Sequence, residues 1–252
     1  MVIGLDRFRD HFAAFTDQYI LIGGAACTVV MENVGETFRA TKDLDIVLCV
    51  EALDPKFVVA FWQFIQDGEY QFQEKSTGEK QYYRFQKPTA SNYPSMLELF
   101  SRAPDVLTPA DGSYLTPIPM DEDVSSLSAI LMDEDYYEFL QAGKRMIDGM
   151  QVAGPEHLIP LKARAWLDMA DRFASGKHVD SRDLKKHKRD VFRLFAIIDP
   201  DFASDIPPKV KEDLREFLLR MRSENIDLQE LGLGSITFAE VDTDLWRIYR
   251  LD

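Results

Sequence analysis

Apolar residues follow two regimes along this chain. In the first half they form short unbroken runs closed by glycine, proline or charge, and in the second they recur every three or four residues over long stretches. Tyr19-Ile-Leu-Ile22 followed by Gly23-Gly24 predicts a buried strand that turns sharply into a helix from about Ala25 to Asn33. Asp43-Leu-Asp-Ile-Val-Leu-Cys-Val50 predicts a second buried strand. Asp54 before Pro55 marks an N-cap and a favoured first helical residue, ahead of helical spacing from Phe57 to Ile65. Tyr82 to Gln86 and Met96 to Ser101 read as further strands on either side of a proline-bounded loop. Pro104, Pro109, Pro117 and Pro119 break any long helix between Ala103 and Asp123, which leaves loop and an edge strand around Tyr114.

From Pro155 onward the pattern is helical, over Glu156 to Phe173, Ser181 to Ile198 and Pro208 to Arg222, with starts marked by Asp180 or Ser181 and by Pro207-Pro208. The remainder reads as short helices or coil. The expectation is an α/β (α+β) fold in two lobes, with a mixed sheet and helices in residues 1–123 and a mainly helical lobe in residues 124–252 that closes a cleft.

Composition narrows the function. A net charge of −14 argues against indiscriminate coating of nucleic acid, so any nucleotide contact is local. One basic stretch runs against that background: Lys177 to Arg193 carries a local +4, leaving −18 elsewhere. It suits either steering of an anion or a solvated helix face laced with ion pairs. No apolar run approaches the length of a membrane span and the N-terminus has no leader pattern, so a cytosolic protein is expected. Cys27 and Cys49 lie in apolar segments and read as buried core residues. His11, His157, His178 and His187 have no metal-ligand spacing and read as surface or capping residues.

The chemistry-bearing signal is Asp43-Leu44-Asp45. Side chains alternate across a strand, so both carboxylates face one side and are able to hold a hard cation. Pairing with Arg39 or Lys42 is the alternative. Glu98 is a lone acid in Met96-Leu-Glu-Leu-Phe100, apolar on both faces, and needs a partner. Either it joins the aspartates around divalent ions, or it pairs with a cation of a neighbouring strand such as Arg84. Gly23-Gly24 offers close backbone approach and helix N–H groups to an anion, a weak signal alone.

As a set, Leu21-Ile-Gly-Gly24, Arg39-Ala-Thr-Lys-Asp-Leu-Asp45 and Leu97-Glu-Leu99 resemble the nucleotidyltransferase superfamily that includes DNA polymerase β, most closely its AbiEii-like branch of bacterial abortive-infection and toxin proteins. Leu158 to Arg172 and Ser181 to Leu194 resemble that branch's two later helices. The resemblance implies a nucleotidyltransferase-type sheet and transfer of a nucleoside monophosphate from an NTP with Mg²⁺. It implies Asp43, Asp45 and Glu98 as metal and catalytic residues. Gly23, Gly24, Thr41, Lys42 and Lys162 are then expected at the nucleotide, with Lys188 and Asp190 at the site mouth. It also implies an RNA, tRNA or protein acceptor and a cognate antitoxin. Two rival expectations are a non-catalytic nucleotide- or partner-binding protein on the same fold and a small-molecule transferase of the aminoglycoside-modifying kind.

Overall fold

The computed structural model describes residues 2–49, 51–71, 82–100, 133–199 and 201–252. The described residues form a mixed α/β fold with a six-stranded sheet and eight helices, the class the hydrophobic pattern predicts. Two compact units emerge. One holds residues up to 132 together with Lys144–Ala153, and the other holds Asp133–Gly143 and Gly154–Asp252. The expected lobe boundary after Asp123, and the loop and edge strand around Tyr114, lie outside the described residues.

In the first unit, α1 (Leu5–His11) precedes β1 (Tyr19–Ile22), α2 (Gly23–Asn33), β2 (Asp43–Leu48), α3 (Pro55–Asp67), β3 (Tyr82–Gln86) and β4 (Met96–Phe100). The hairpin β5 (Lys144–Ile147) and β6 (Met150–Ala153) completes the sheet, in the order β3-β4-β2-β1-β6-β5. β2 runs parallel to β4 and antiparallel to β1, β3 is antiparallel to β4, and β6 is parallel to β1.

The register sorts side chains onto two faces, because residues directly opposite one another in a ladder point the same way. One face carries Tyr19, Leu21, Leu44, Ile46, Leu97 and Phe85. Against it pack rings of α1, of Phe12 just after it and of α3, with Phe8 and Phe12 on Tyr19, and Phe61 and Trp62 on Phe85. The start of α3 is fixed by Asp54, whose carboxylate accepts from the Phe57 N–H at 2.9 Å. α2 is buried from Gly23 through Met31, as expected of a short helix apolar on every side. Cys27 and Cys49 are both buried, as their apolar surroundings predict.

The β5–β6 hairpin is absent from the sequence-based expectation, although its signal is present. Asp148 and Gly149 have φ of 48° and 73°, the two left-handed residues that a tight Asp-Gly hairpin turn requires.

The second unit is helical: α4 (Glu134–Ala142), α5 (Pro155–Ala174), α6 (Ser181–Phe195), α7 (Pro208–Met221) and α8 (Phe238–Ile248). Pro160 lies inside α5 and has no N–H for the Glu156 carbonyl one turn back. The buried Tyr249 hydroxyl donates to that carbonyl instead, at 2.7 Å. α8 opens with a reciprocal cap between Thr237 and Glu240. A second buried tyrosine, Tyr136 of α4, donates to the enclosed Asp213 of α7 at 2.8 Å. Burial, then the Asp213 charge, pushes its phenol well above the usual tyrosine range.

Two histidines depart from expectation. His157 and His187 are buried, 8% and 6% exposed, and the His157 ring lies on Phe139 with centroids 4.4 Å apart. A methyl group on Gly143 would collide with that ring, so the glycine makes room for it.

Candidate nucleotide and metal site

The sheet face opposite the aromatic cluster carries the acids. Asp45 faces Ile22 on one side and Glu98 on the other, and Glu98 faces Arg84, so Ile22, Asp45, Glu98 and Arg84 form one row across β1, β2, β4 and β3. Asp43 sits two residues along the same face beside Met96. Asp45 and Glu98 are buried, 9% and 5% exposed, while Asp43 is half-buried and Lys42 is exposed. Lys42 contributes its backbone carbonyl, which accepts from the Ser95 N–H at 3.0 Å and ties the entry of β2 to that of β4.

Gly23 and Gly24 adjoin this row. Gly23 has φ of +65°, and the Asp45 carboxylate occupies the space that a Cβ on it would need. Gly24 is covered in the same way by Thr41, whose Oγ1 lies 2.8 Å from the position of such a Cβ. The Gly-Gly pair is therefore required by close packing of two polar side chains on the first turn of α2. Asp45 thereby lies beside the N-terminal end of a buried helix, where the backbone dipole favours negative charge.

Glu98 is engaged by the cation of the neighbouring strand, the alternative partner that the sequence offers. Its Oε1 accepts from both Nε and Nη2 of Arg84, at 2.8 and 2.7 Å. β4 lies between β3 and β2, so this pair spans the ladder on the side of β4 away from β2. Among the described residues no group of three His, Cys, Asp or Glu side chains is arranged to hold a metal ion. The two candidate ligands that share strand and face are Asp43 and Asp45.

Lys162, expected at the nucleotide, and Lys188 and Asp190, expected at the site mouth, all lie in the helical unit. Lys162 of α5 and Asp190 of α6 form an ion pair of 3.2 Å whose side chains are 3% and 0% exposed. Lys188 pairs with Glu224 at 2.6 Å. Arg182 pairs with Asp180, Lys186 with Asp183 and Arg189 with Glu230, so the basic stretch is laced with ion pairs. Arg84 is the residue at the acid row to which sequence reasoning gave no ligand-binding role. The strand pattern gives it only the role of alternative partner to Glu98.

No protein-family model matches the chain, and no curated protein is significantly similar to it. Among solved structures it is similar to an antigenic nucleotidyltransferase-like protein from Paracoccidioides brasiliensis. Identity is 16% and the TM-score 0.45, with 92% of this chain and 95% of that chain covered. No helix among the described residues is long and apolar enough to cross a membrane.

Proposed function

We propose that the first unit binds an NTP with Mg²⁺ and transfers its nucleoside monophosphate to an acceptor. The observation that carries this reading is the packing of Asp45 against Gly23 at the head of α2, with Asp43 on the same face of the same strand. Two carboxylates two residues apart on a buried strand are a hard-cation donor set, and their chemistry fits Mg²⁺. A divalent ion held there supplies neutralising charge to the triphosphate and to the oxygens that exchange bonds at phosphorus. Asp43 and Asp45 hold and orient it. Thr41, packed over Gly24, offers an adjoining polar side chain to phosphate oxygens. In the transfer the acceptor oxygen bonds to the α-phosphorus as the bond to the pyrophosphate oxygen breaks. The hydroxyl proton leaves to solvent and pyrophosphate departs. Resemblance to the AbiEii-like branch points to an RNA, tRNA or protein acceptor in a cytosolic toxin–antitoxin or phage-defence setting.

The test is incubation of the full chain with Mg²⁺, each α-labelled NTP in turn, and total RNA or cell lysate. Label transfer is expected to fall at least about a hundredfold in Asp43→Asn and in Asp45→Asn. Equal transfer by both variants and the parent rejects the assigned site. The Arg84–Glu98 pair favours a second reading, a nucleotide-binding protein without transfer. NTP binding that depends on Asp45 while no acceptor takes label would establish it.

A further inference from the structure

The acid face carries a cation to which the reading above gives no task. Arg84 closes the row Ile22–Asp45–Glu98–Arg84 on the terminal strand of the six-stranded order. Its side chain is 28% exposed, whereas that of Glu98 is 6% exposed. The guanidinium thus stands at the boundary between buried acid and solvent. Adjacent strands lie about 4.8 Å apart, so Glu98 stands between two competing partners, Arg84 on one side and Asp45 with any ion it holds on the other. Nε and Nη2 both lie on Oε1, so that carboxylate oxygen is engaged by the first.

We propose that Arg84 is a positioning residue that keeps the Glu98 carboxylate engaged until a phosphate of the bound nucleotide takes over the guanidinium. This rests on the reading of the site as an NTP site. The planar Arg fork matches a phosphate as well as it matches a carboxylate, so one charge-assisted pair replaces another with little net cost. The displaced Glu98 then turns toward β2 and adds a third acid beside Asp43 and Asp45. The triphosphate itself thereby completes the metal site. Nucleotide and divalent ion must consequently strengthen each other's binding by the same factor, as linkage requires.

The experiment titrates Mn²⁺ into the full chain, followed by its paramagnetic resonance signal, with and without a non-hydrolysable NTP analogue. Analogue affinity in EDTA is measured in parallel. The parent chain is expected to bind Mn²⁺ about tenfold more tightly when the analogue is present. Arg84→Gln should bind Mn²⁺ alone about tenfold more tightly than the parent, lose the coupling, and bind the analogue more weakly in EDTA. The double variant Arg84→Gln with Glu98→Gln should return Mn²⁺ affinity to the parent's weak value. Arg84→Lys, which keeps the charge against Glu98, should fold and cut the coupling at least about threefold. Unchanged coupling in Arg84→Lys, or unchanged Mn²⁺ affinity in a folded Arg84→Gln, overturns the proposal. The NTP-site reading itself fails in a different way, by Asp45→Asn binding analogue and Mn²⁺ as the parent does.

Discussion

Each unit of the molecule buries a carboxylate against a cation, and the two pairs differ in how far the cation is enclosed. Lys162 and Asp190 are both sealed between α5 and α6. Arg84 remains more than a quarter exposed while its partner Glu98 is buried. Losing either member of a sealed pair removes a compensating charge in a medium that solvates the remaining one poorly. A half-open pair retains access to solvent and to solutes, and its guanidinium can be exchanged. Burial of the acid alone therefore does not separate a structural pair from a functional one. A third arrangement marks the far end of the range, the pair of Arg182 and Asp180, in which Arg182 is 89% exposed.

The largest effect is expected at the sealed pair. Lys162→Met should lower unfolding free energy by about 3–5 kcal/mol in denaturant titrations, and Lys162→Met with Asp190→Leu should recover most of it. A loss below about 1 kcal/mol in the single variant would place the two pairs in one class. Next comes Gly23→Ala. Its left-handed backbone costs an alanine about 1–2 kcal/mol, and the added methyl must displace the Asp45 carboxylate. Nucleotide binding should therefore fall out of proportion to stability, measured by calorimetry beside thermal unfolding. Parallel losses would make the contact between Gly23 and Asp45 a packing feature only.

The smallest effect belongs to the exposed pair. The Arg182 side chain and backbone N–H hold the Asp180 carboxyl down at about 2, against an ordinary 3.8. A depressed carboxyl contributes stability that is fully present above its unfolded value and is lost as pH falls through the folded one. Asp180→Asn should leave stability near neutrality almost unchanged, since asparagine also caps, and should flatten the acid limb between those two values. Equilibrium unfolding as a function of pH checks it, and an unaltered acid limb would remove Asp180 from the range.

Much of the fold was legible in the residue pattern because local rules agreed with one another. The runs at Tyr19, Asp43 and Met96 became strands, Asp54-Pro55 opened a helix, and the periodic segments from Pro155 became α5, α6 and α7. The β5–β6 hairpin was missed because its strands are only four residues each and β5 is largely exposed, so no apolar run announces them. The Asp148-Gly149 turn was the available signal.

Within the candidate site, alternation along β2 placed Asp43 and Asp45 on one face before any tertiary contact was known, since a strand's period is fixed by its pleat. Glu98's need for a partner followed equally from the apolar residues around it. Its choice of partner did not. Asp45 and Arg84 are both its neighbours across the ladder, and the side-chain arrangement within the assembled sheet decided for Arg84. Lys162 shows the same division: the sequence placed a lysine on an amphipathic helix, but only packing of α5 against α6 enclosed its charge with Asp190. Period and burial are properties of a segment, whereas the partner of a charge depends on which remote segments the chain brings beside it.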